Sequence, residues 1–369
     1  MRLVRGSEVW EIHHEGTVVR VGEVARRFLT GEHARVAYEK AVAEQRALGF
    51  TETPDVVDDL DARLVLADDL QQRGDPQGEL IAVQTALAGE HLSPAERKKL
   101  AKRENALLDA NHELWWGPLA QFLRKRGNKY PLKPALEVTW DRGFVDSVRI
   151  QRALKFQFDQ IYGQLRKLPI ARNLRRLVLG DPQLDTAMTT VIHYGAIFSV
   201  MEREGVPPHL KELVIGDVTP ARRPRIHLGD ARAVLSACTH LERLEISAGS
   251  GTFAPFTSPT LRELAIAGIA RTSMAALIDA KLPALVELDV TGVEIRAFVE
   301  LLLGSPLLAQ LQRLTLSHCH MQDPDLAIFY MHWRRFEHLA HLDLRGNHFT
   351  QMMVKDVRTR LPQLQARGS

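Results

Sequence analysis

Residues 339–349 read LAHLDLRGNHF. Leucines at the first, fourth and sixth positions of this stretch give the alternation of a β-strand with one buried face. Asn347 then stands where the chain leaves the strand. Residues 311–321 repeat the pattern as LQRLTLSHCHM, with Cys319 in place of the asparagine. The two copies predict a repeated unit of strand and turn.

The leucine pattern occurs seven times in order along the chain. Its start-to-start spacings are 36, 31, 20, 24, 26 and 28 residues. A leucine-rich chain could instead form a bundle of helices, but the period of two within each unit favours a strand. Stretches compatible with helices, such as residues 231–238, lie between the strands. The sequence therefore predicts an α/β solenoid with a parallel sheet on one face. The copies occupy residues 174–179, 210–215, 241–246, 261–266, 285–290, 311–316 and 339–344.

These units resemble the leucine-rich repeat family. The resemblance implies that the sheet lines the concave side of the solenoid and that helices cover the convex side. It also implies that the side chains of Asn347 and Cys319 are buried and bond backbone groups at the turns. Cys238 falls in a helical stretch, and we expect it to be buried on the convex side.

Alternate positions of the predicted strands point to the concave side, which is the usual docking surface of a solenoid. The middle of this surface is net acidic, and arginines lie toward its two ends. We predict that it binds a protein partner with a basic surface; the alternative is a sheet face that is merely solvated. The predicted contact residues are Arg176, Glu212, Arg243, Glu245, Glu263, Glu287, Asp289, Arg313, His341, Asp343 and Arg345.

Both ends of the solenoid need cover, because an open sheet edge invites aggregation. Residues 136–140 and 144–150 alternate around Asp141-Arg142-Gly143, which indicates a β-hairpin over the first edge. Residues 351–364 predict a terminal helix at the other end.

Residues 55–89 predict two helices separated by Arg73-Gly74-Asp75-Pro76. Gly74 suits the position after a helix, Asp75 an N-cap and Pro76 the first turn of the next helix. The run from Arg63 to Glu79 resembles a short repeat-companion domain expanded in myxobacteria and planctomycetes. The resemblance implies a bacterial protein, repeats downstream and no catalytic chemistry, although Leu66 and Asp69 replace the usual Tyr and Trp.

A third helix is predicted over residues 93–116. It opens with Ser93 as N-cap, Pro94 in the first turn and Glu96 in a capping box. Trp115 and Trp116 near its end are predicted to anchor it in the core.

The first fifty residues predict strands at 10–16, 18–22 and up to Phe28, and then a helix at 32–48. This order is similar to the small WGR domain, whose members contact DNA ends. Arg20 matches the motif, but Val18 and Val19 stand where its Trp and Gly belong. The resemblance implies Arg20 as a nucleic-acid contact and a nucleic-acid-associated regulator as the alternative function. The net charge of +1 over residues 1–50 gives little drive for that binding.

Catalytic motifs are absent from the sequence, including a P-loop, G-x-S-x-G and C-x-x-C. The acids of the first predicted helix (Asp58, Asp59, Asp61, Asp68 and Asp69) lack the spacing of a calcium loop. One cluster could serve a metal-dependent hydrolase: His318, Cys319, His320, Asp323, Asp325 and His332. Because the repeat pattern already assigns Cys319, we predict no metal, no cofactor and no enzymatic activity.

Composition bounds the remaining choices. Two cysteines exclude a disulfide scaffold, and 48 basic against 45 acidic residues give a net charge of only +3. No run approaches the ~18 apolar residues of a membrane span, and no secretory signal is recognisable. We therefore expect a cytoplasmic monomer with no membrane association. It has a WGR-like module at residues 1–51, a helical companion and cap domain at 52–130, and the repeats at 131–369.

Overall fold

The computed structural model describes residues 2–5, 8–15, 17–21, 24–48, 51–52, 60–123, 135–151, 158–181, 191–268 and 271–368. Two compact units divide the chain, Met1–Arg63 and Leu64–Ser369. Residues 55–59 of the first predicted companion helix lie outside the described residues.

The smaller unit is an antiparallel sheet with one helix, α1, at Gly31–Ala47. Its strand order is β4-β3-β2-β1-β5. A small core of Ile12, Val19, Ala34 and Val42 lies between sheet and helix. The three predicted strands and the helix are confirmed as β2, β3, β4 and α1, whereas β1 and β5 were not predicted. The WGR likeness itself stays a prediction. The strands are β1 at Arg2–Arg5, β2 at Glu8–Glu15, β3 at Val18–Val21, β4 at Val24–Arg27 and β5 at Thr51–Glu52.

The larger unit contains a ten-stranded sheet. Neighbouring strands in this sheet are parallel except for the first pair, β6 and β7. All seven predicted repeats supply one strand each. In register across these strands lie Leu177, Leu213, Leu244, Leu264, Leu288, Leu314 and Leu342, each at most 1 % exposed. The strands, in spatial order, are β6 at Leu136–Asp141, β7 at Phe144–Ile150, β8 at Arg176–Gly180, β10 at Glu212–Asp217, β12 at Arg243–Ser247, β14 at Glu263–Ala267, β15 at Glu287–Thr291, β16 at Arg313–Ser317, β17 at His341–Asp343 and β18 at Leu364–Gln365.

A second, three-stranded parallel sheet was not foreseen from the sequence. It consists of β9 at Ile192–His193, β11 at Ile226–Asp230 and β13 at Ser250–Thr252. The two longest repeat units each hold one of these strands in addition to a helix. In the 20-residue unit, β13 stands in place of the helix.

Helices precede and follow the repeat strands. Cys238 ends α8 and is 1 % exposed, as predicted. The helices are α2 at Leu60–Gln72, α3 at Pro76–Leu87, α4 at Pro94–Ala110, α5 at His112–Trp116, α6 at Phe158–Leu165, α7 at Gly195–Glu204, α8 at Arg232–Ala237, α9 at Arg271–Ala276, α10 at Arg296–Gly304, α11 at Pro306–Gln310, α12 at Asp323–Met331 and α13 at Gln351–Arg358. Short 3-10 segments lie at Gly117–Phe122, Pro169–Ala171, Pro220–Arg225, Leu277–Asp279 and Trp333–Arg335.

The companion segment docks on the hairpin that covers the first sheet edge. Gln77 donates from Nε2 to the carbonyl of Gly143 at 2.9 Å, and the amide of Gly143 donates to Oε1 of Gln84 at 2.6 Å. Asp75 caps α3, as predicted. Gly78 lets α2 and α3 approach, because an added Cβ there would lie 2.5 Å from the carbonyl oxygen of Ala67.

The predicted helix at 93–116 is corrected to two helices, α4 and α5, which meet at Asn111. The Asn111 side chain donates to the carbonyl of Leu107 at 2.9 Å, and such local bonds compete with helix continuation. Trp115 and Trp116 are buried, with ring centroids 5.5 and 6.0 Å from that of Trp140, so their predicted anchoring role is confirmed.

The predicted terminal helix at 351–364 is also corrected. The helix α13 ends at Arg358, and β18 then adds a last parallel strand to the sheet. Pro362 explains the early end, because a proline disfavours helical conformation in the residue before it and lacks the amide that a helix needs.

Candidate functional site

The turns that follow the last two repeat strands are held by the predicted ladder residues. Oδ1 of Asn347 accepts from the amides of Cys319 and Met321 at 2.8 and 3.2 Å. Its Nδ2 donates to the carbonyls of Leu316 and Leu344, each at 2.8 Å. Sγ of Cys319 donates to backbone carbonyls at 3.3 and 3.4 Å. Both residues thus hold the backbone of the turns next to the strands that carry the concave side chains.

Burial makes the two thiols poor nucleophiles. It raises the pKa of Cys238 to about 12 and that of Cys319 to about 11. Since the thiolate is the reactive form, neither cysteine is suited to covalent chemistry at neutral pH.

The first positions of β8, β10, β12, β14, β15 and β16 form a row of ion pairs on the concave face, here called the first row. Glu212 lies 2.8 Å from Arg176 and 3.7 Å from Arg243. Arg243 also lies 3.4 Å from Glu263, and Arg313 lies 3.4 Å from Glu287. Every one of these side chains is at least 27 % exposed, so the pairs contribute little stability and neutralise one another's charge.

Two valines on the concave face are covered near the N-terminal end of the repeats. Val178 and Val214, which the alternation predicted to face solvent, are only 2 % and 5 % exposed. Arg149 of β7 explains this correction, because its Nη2 lies 2.7 Å from Oδ2 of Asp217 on β10, beyond β8. Its Nε lies 3.6 Å from where a Cβ of Gly180 would be. The guanidinium therefore crosses β8 and covers the apolar row.

Beyond this end the concave face opens into a groove of about 770 Å³ that extends from β12 to the end of the chain. It is lined by eight of the eleven predicted contact residues, and Arg176, Glu212 and Glu245 are the three outside its lining. The groove is also lined by His318, which the sequence suggested only as a metal ligand, and by four residues that the sequence did not single out: Thr315, Ser317, Gly346 and Arg367.

The third positions of the repeat strands form a second concave row. Two acids of this row, Glu245 and Asp289, have no basic side chain beside them among the described residues. In the part of the chain that the structure describes, no ion pair joins Glu245 or Asp289 to a basic side chain. Within the described ranges, Asp289 is seen to accept from Oγ1 of Thr291 alone, at 3.1 Å. The surrounding walls of the groove partly desolvate Asp289 and raise its pKa, and the charge of Asp343 adds to the effect. The centre of the groove therefore retains uncompensated negative charge.

The C-terminal end of the groove is basic. Asp343 is 4 % exposed and accepts from the amide, Nε and Nη2 of Arg345. Burial by itself would raise the pKa of Asp343, but these hydrogen bonds and the charge of Arg345 lower it. Arg345 itself projects to solvent with its side chain 58 % exposed. Arg367, also exposed, lies at the same end.

His318 adopts a left-handed conformation with φ 53° at the rim of the groove. Three other repeats have glycine at this position, Gly268, Gly292 and Gly346, with φ between 71° and 78°. The imidazole lies over Gly346, where an added Cβ would be 2.4 Å from the ring. A non-glycine residue held in this region is a strained feature of the kind that clusters at functional sites.

We expect His318→Val to lower the free energy of unfolding by about 1–2 kcal/mol, because a β-branched side chain is poorly tolerated at positive φ. His318→Asn should stay within about 0.5 kcal/mol, since asparagine accepts this conformation readily. Urea unfolding followed by circular dichroism measures both. Equal stability of the two variants would show that the left-handed backbone carries no strain.

The remaining predicted candidates do not converge on a site. Arg20 is exposed on β3 in the smaller unit. His318, His320 and His332 are exposed, whereas Cys319 is buried in its turn. Among the described residues, no group of three or more His, Cys, Asp or Glu side chains is placed to hold a metal ion. Asp58 and Asp59 lie outside the described residues. No helix in the described ranges has the length and apolar character to cross a membrane.

The chain matches no known protein-family profile and no curated protein. Among solved structures, a Bacteroides fragilis protein shares 15 % identity over 99 % of this chain and 95 % of its own, with a TM-score of 0.42. Human 5T4 (trophoblast glycoprotein) shares 17 % over 66 % and 82 %, with a TM-score of 0.36. A leucine-rich repeat protein of Leptospira interrogans shares 14 % over 57 % and 51 %, with a TM-score of 0.28. At these scores the fold rests on the chain's own geometry, a mixed α/β unit whose large, mostly parallel sheet is consistent with a leucine-rich repeat fold.

Proposed function

We propose that the protein is a non-enzymatic interaction scaffold that binds a protein partner in its concave groove. The groove at the centre and C-terminal end of the sheet carries this proposal. Most charges of the first row neutralise one another, yet Glu245 and Asp289 keep uncompensated charge in or beside an open concavity. A partner that presents basic side chains would supply the missing counter-charges.

The proposed organisation follows the sequence. A WGR-like module occupies residues 1–51, a companion and cap domain 52–130 and the repeat domain 131–369. The small core of the first unit supports a separate module. The core that α3, α4 and α5 share with the repeat strands supports a capping role for the second segment. The cytoplasmic location and the monomeric state belong to the same proposal, and two unpaired buried cysteines suit a reducing compartment.

Affinity capture with a charge-reversed groove tests this function. The double variant Glu245→Lys and Asp289→Lys should recover at least about tenfold less partner from the native lysate than the unaltered protein, because like charges then face a basic partner. The matched control reverses two exposed acids outside the groove lining, Glu202→Lys and Glu337→Lys, and should recover as much partner as the unaltered protein. Quantitative mass spectrometry compares the three samples. Equal recovery by both double variants would overturn the concave-face assignment.

A further inference from the structure

The chemistry of the groove specifies more about the partner than its charge, provided that the proposed function holds. The strand register places Glu245 and Asp289 on either side of Ala265, on β12, β14 and β15. All three belong to the second concave row, and the small side chain of Ala265 leaves room between the two carboxylates. A lysine or arginine side chain placed over Ala265 would meet two acids, neither of which has a cation partner among the described residues.

A second feature, of opposite charge, lies at the other end of the groove. Arg345 follows Asp343 by two residues, and Arg367 follows Gln365 by two residues. Because Asp343 and Gln365 are paired in the strand register, the two arginines lie at corresponding positions, and both line the groove. Asp343 accepts from Nε and Nη2 of Arg345, whereas Nη1 makes no bond to Asp343. No ion pair engages Arg367 within the described ranges. This end of the groove therefore suits a carboxylate.

The distance between the two features restricts what can bridge them. From β14 to β17 there are three strand spacings, or about 14 Å at ~4.8 Å each. Arg345 also lies two residues, about 7 Å, beyond Asp343, which is level with Ala265, so Ala265 and Arg345 are about 16 Å apart. An extended chain rises ~3.3 Å per residue, so four residues span about 13 Å. Side chains of an extended chain alternate between faces, and only even separations put two of them on the same face. Separations of two and six residues span about 7 and 20 Å, so four comes closest to 16 Å, and the long side chains bridge the remaining distance of about 3 Å.

We propose that the groove binds an extended protein segment lying across the strands, with a lysine or arginine four residues away from an aspartate or glutamate. The basic side chain lies over Ala265 between Glu245 and Asp289. The acidic side chain contacts Arg345 and Arg367. Because the acid belongs to a side chain, the segment continues past the groove and its own C-terminal carboxylate is not required.

A peptide array tests the spacing directly. Amidated, N-acetylated peptides of equal length and composition carry one arginine and one glutamate in a Gly/Ser/Ala background, separated by two, three, four, five or six residues in both orders. We expect the full-length protein to bind the four-residue spacing at least about threefold more strongly than the three- and five-residue spacings in one of the two orders. A signal that is flat with spacing, or that peaks at an odd spacing, overturns the proposal.

Variants then assign each end of the peptide. Asp289→Asn should abolish the preference for the four-residue spacing, and so should Arg367→Gln. Glu202→Gln and Lys355→Gln, at exposed positions of α7 and α13 outside the groove lining, should leave it unchanged. A matching peptide with a free C-terminal carboxylate in place of the glutamate separates the two sources of carboxylate, and stronger binding of that peptide contradicts the side-chain assignment. If the groove variants still lose partner recovery while no spacing is preferred, this inference fails and the proposed function stands. If recovery is insensitive to the groove, the proposed function fails as well.

Discussion

Replacing Gly143 by alanine should lower the free energy of unfolding of the Leu64–Ser369 unit by about 3 kcal/mol. An alanine Cβ at this position would lie 2.2 Å from Cγ1 of Ile81 and 3.3 Å from its Cα. The hairpin residue also has φ +82°, a conformation in which a Cβ is strained. Relief of the clash requires α3 to move, and that movement breaks the hydrogen bonds of Gln77 and Gln84 to this glycine.

Gly74→Ala is the matched control for this effect. Gly74 has a similar φ of +73°, but nothing lies within 4 Å of its added Cβ. We expect a loss of only about 1 kcal/mol from backbone strain. Urea unfolding gives both values, and limited proteolysis should release the companion helices faster from the Gly143 variant alone. If the two glycines cost the same, the docking of α3 on the hairpin contributes no stability of its own.

The repeat strands could be predicted from the sequence because their leucines repeat one physical task. Leu244, Leu264 and Leu288 are stacked in register and buried, so the spacing of the side chains records the fold directly. The alternation also placed Glu263 and Asp289 correctly on the concave side, since period two follows from strand geometry alone.

Other features depend on contacts that no local pattern records. The burial of Val178 follows from Arg149, which crosses β8 to reach Asp217, a residue 68 positions away. The strands β9 and β13 have two and three residues, too few for a recognisable period. Arg367 was missed as a groove residue because the last strand is only two residues long and follows a helix end set by Pro362.

The last repeat offers the second large effect. Asn347→Ala should lower the free energy of unfolding by about 2–3 kcal/mol, because one side chain satisfies four backbone groups in two successive turns. The amides of Cys319 and Met321 would lose their acceptor. In a solenoid each repeat contacts only its neighbours, so the damage should concentrate at the C-terminal end.

Hydrogen exchange resolves this local effect. The amides of Cys319 and Met321 should exchange at least about tenfold faster in Asn347→Ala, whereas amides of β8 and β10 should keep their protection. Asn111→Ala is the control. Asn111 is also half-buried, but among the described residues its side chain makes one hydrogen bond, to the carbonyl of Leu107, so the substitution should cost about 1 kcal/mol or less. The turn after β16 also supports His318, and the strand β17 carries Asp343 beneath Arg345. Loosening these turns should therefore weaken the peptide-spacing preference of the groove even though Asn347 is not among its lining residues. Unaltered exchange at Cys319 and Met321 would contradict the role assigned to the asparagine, since no other side chain is seen to accept from these two amides in the described part of the chain.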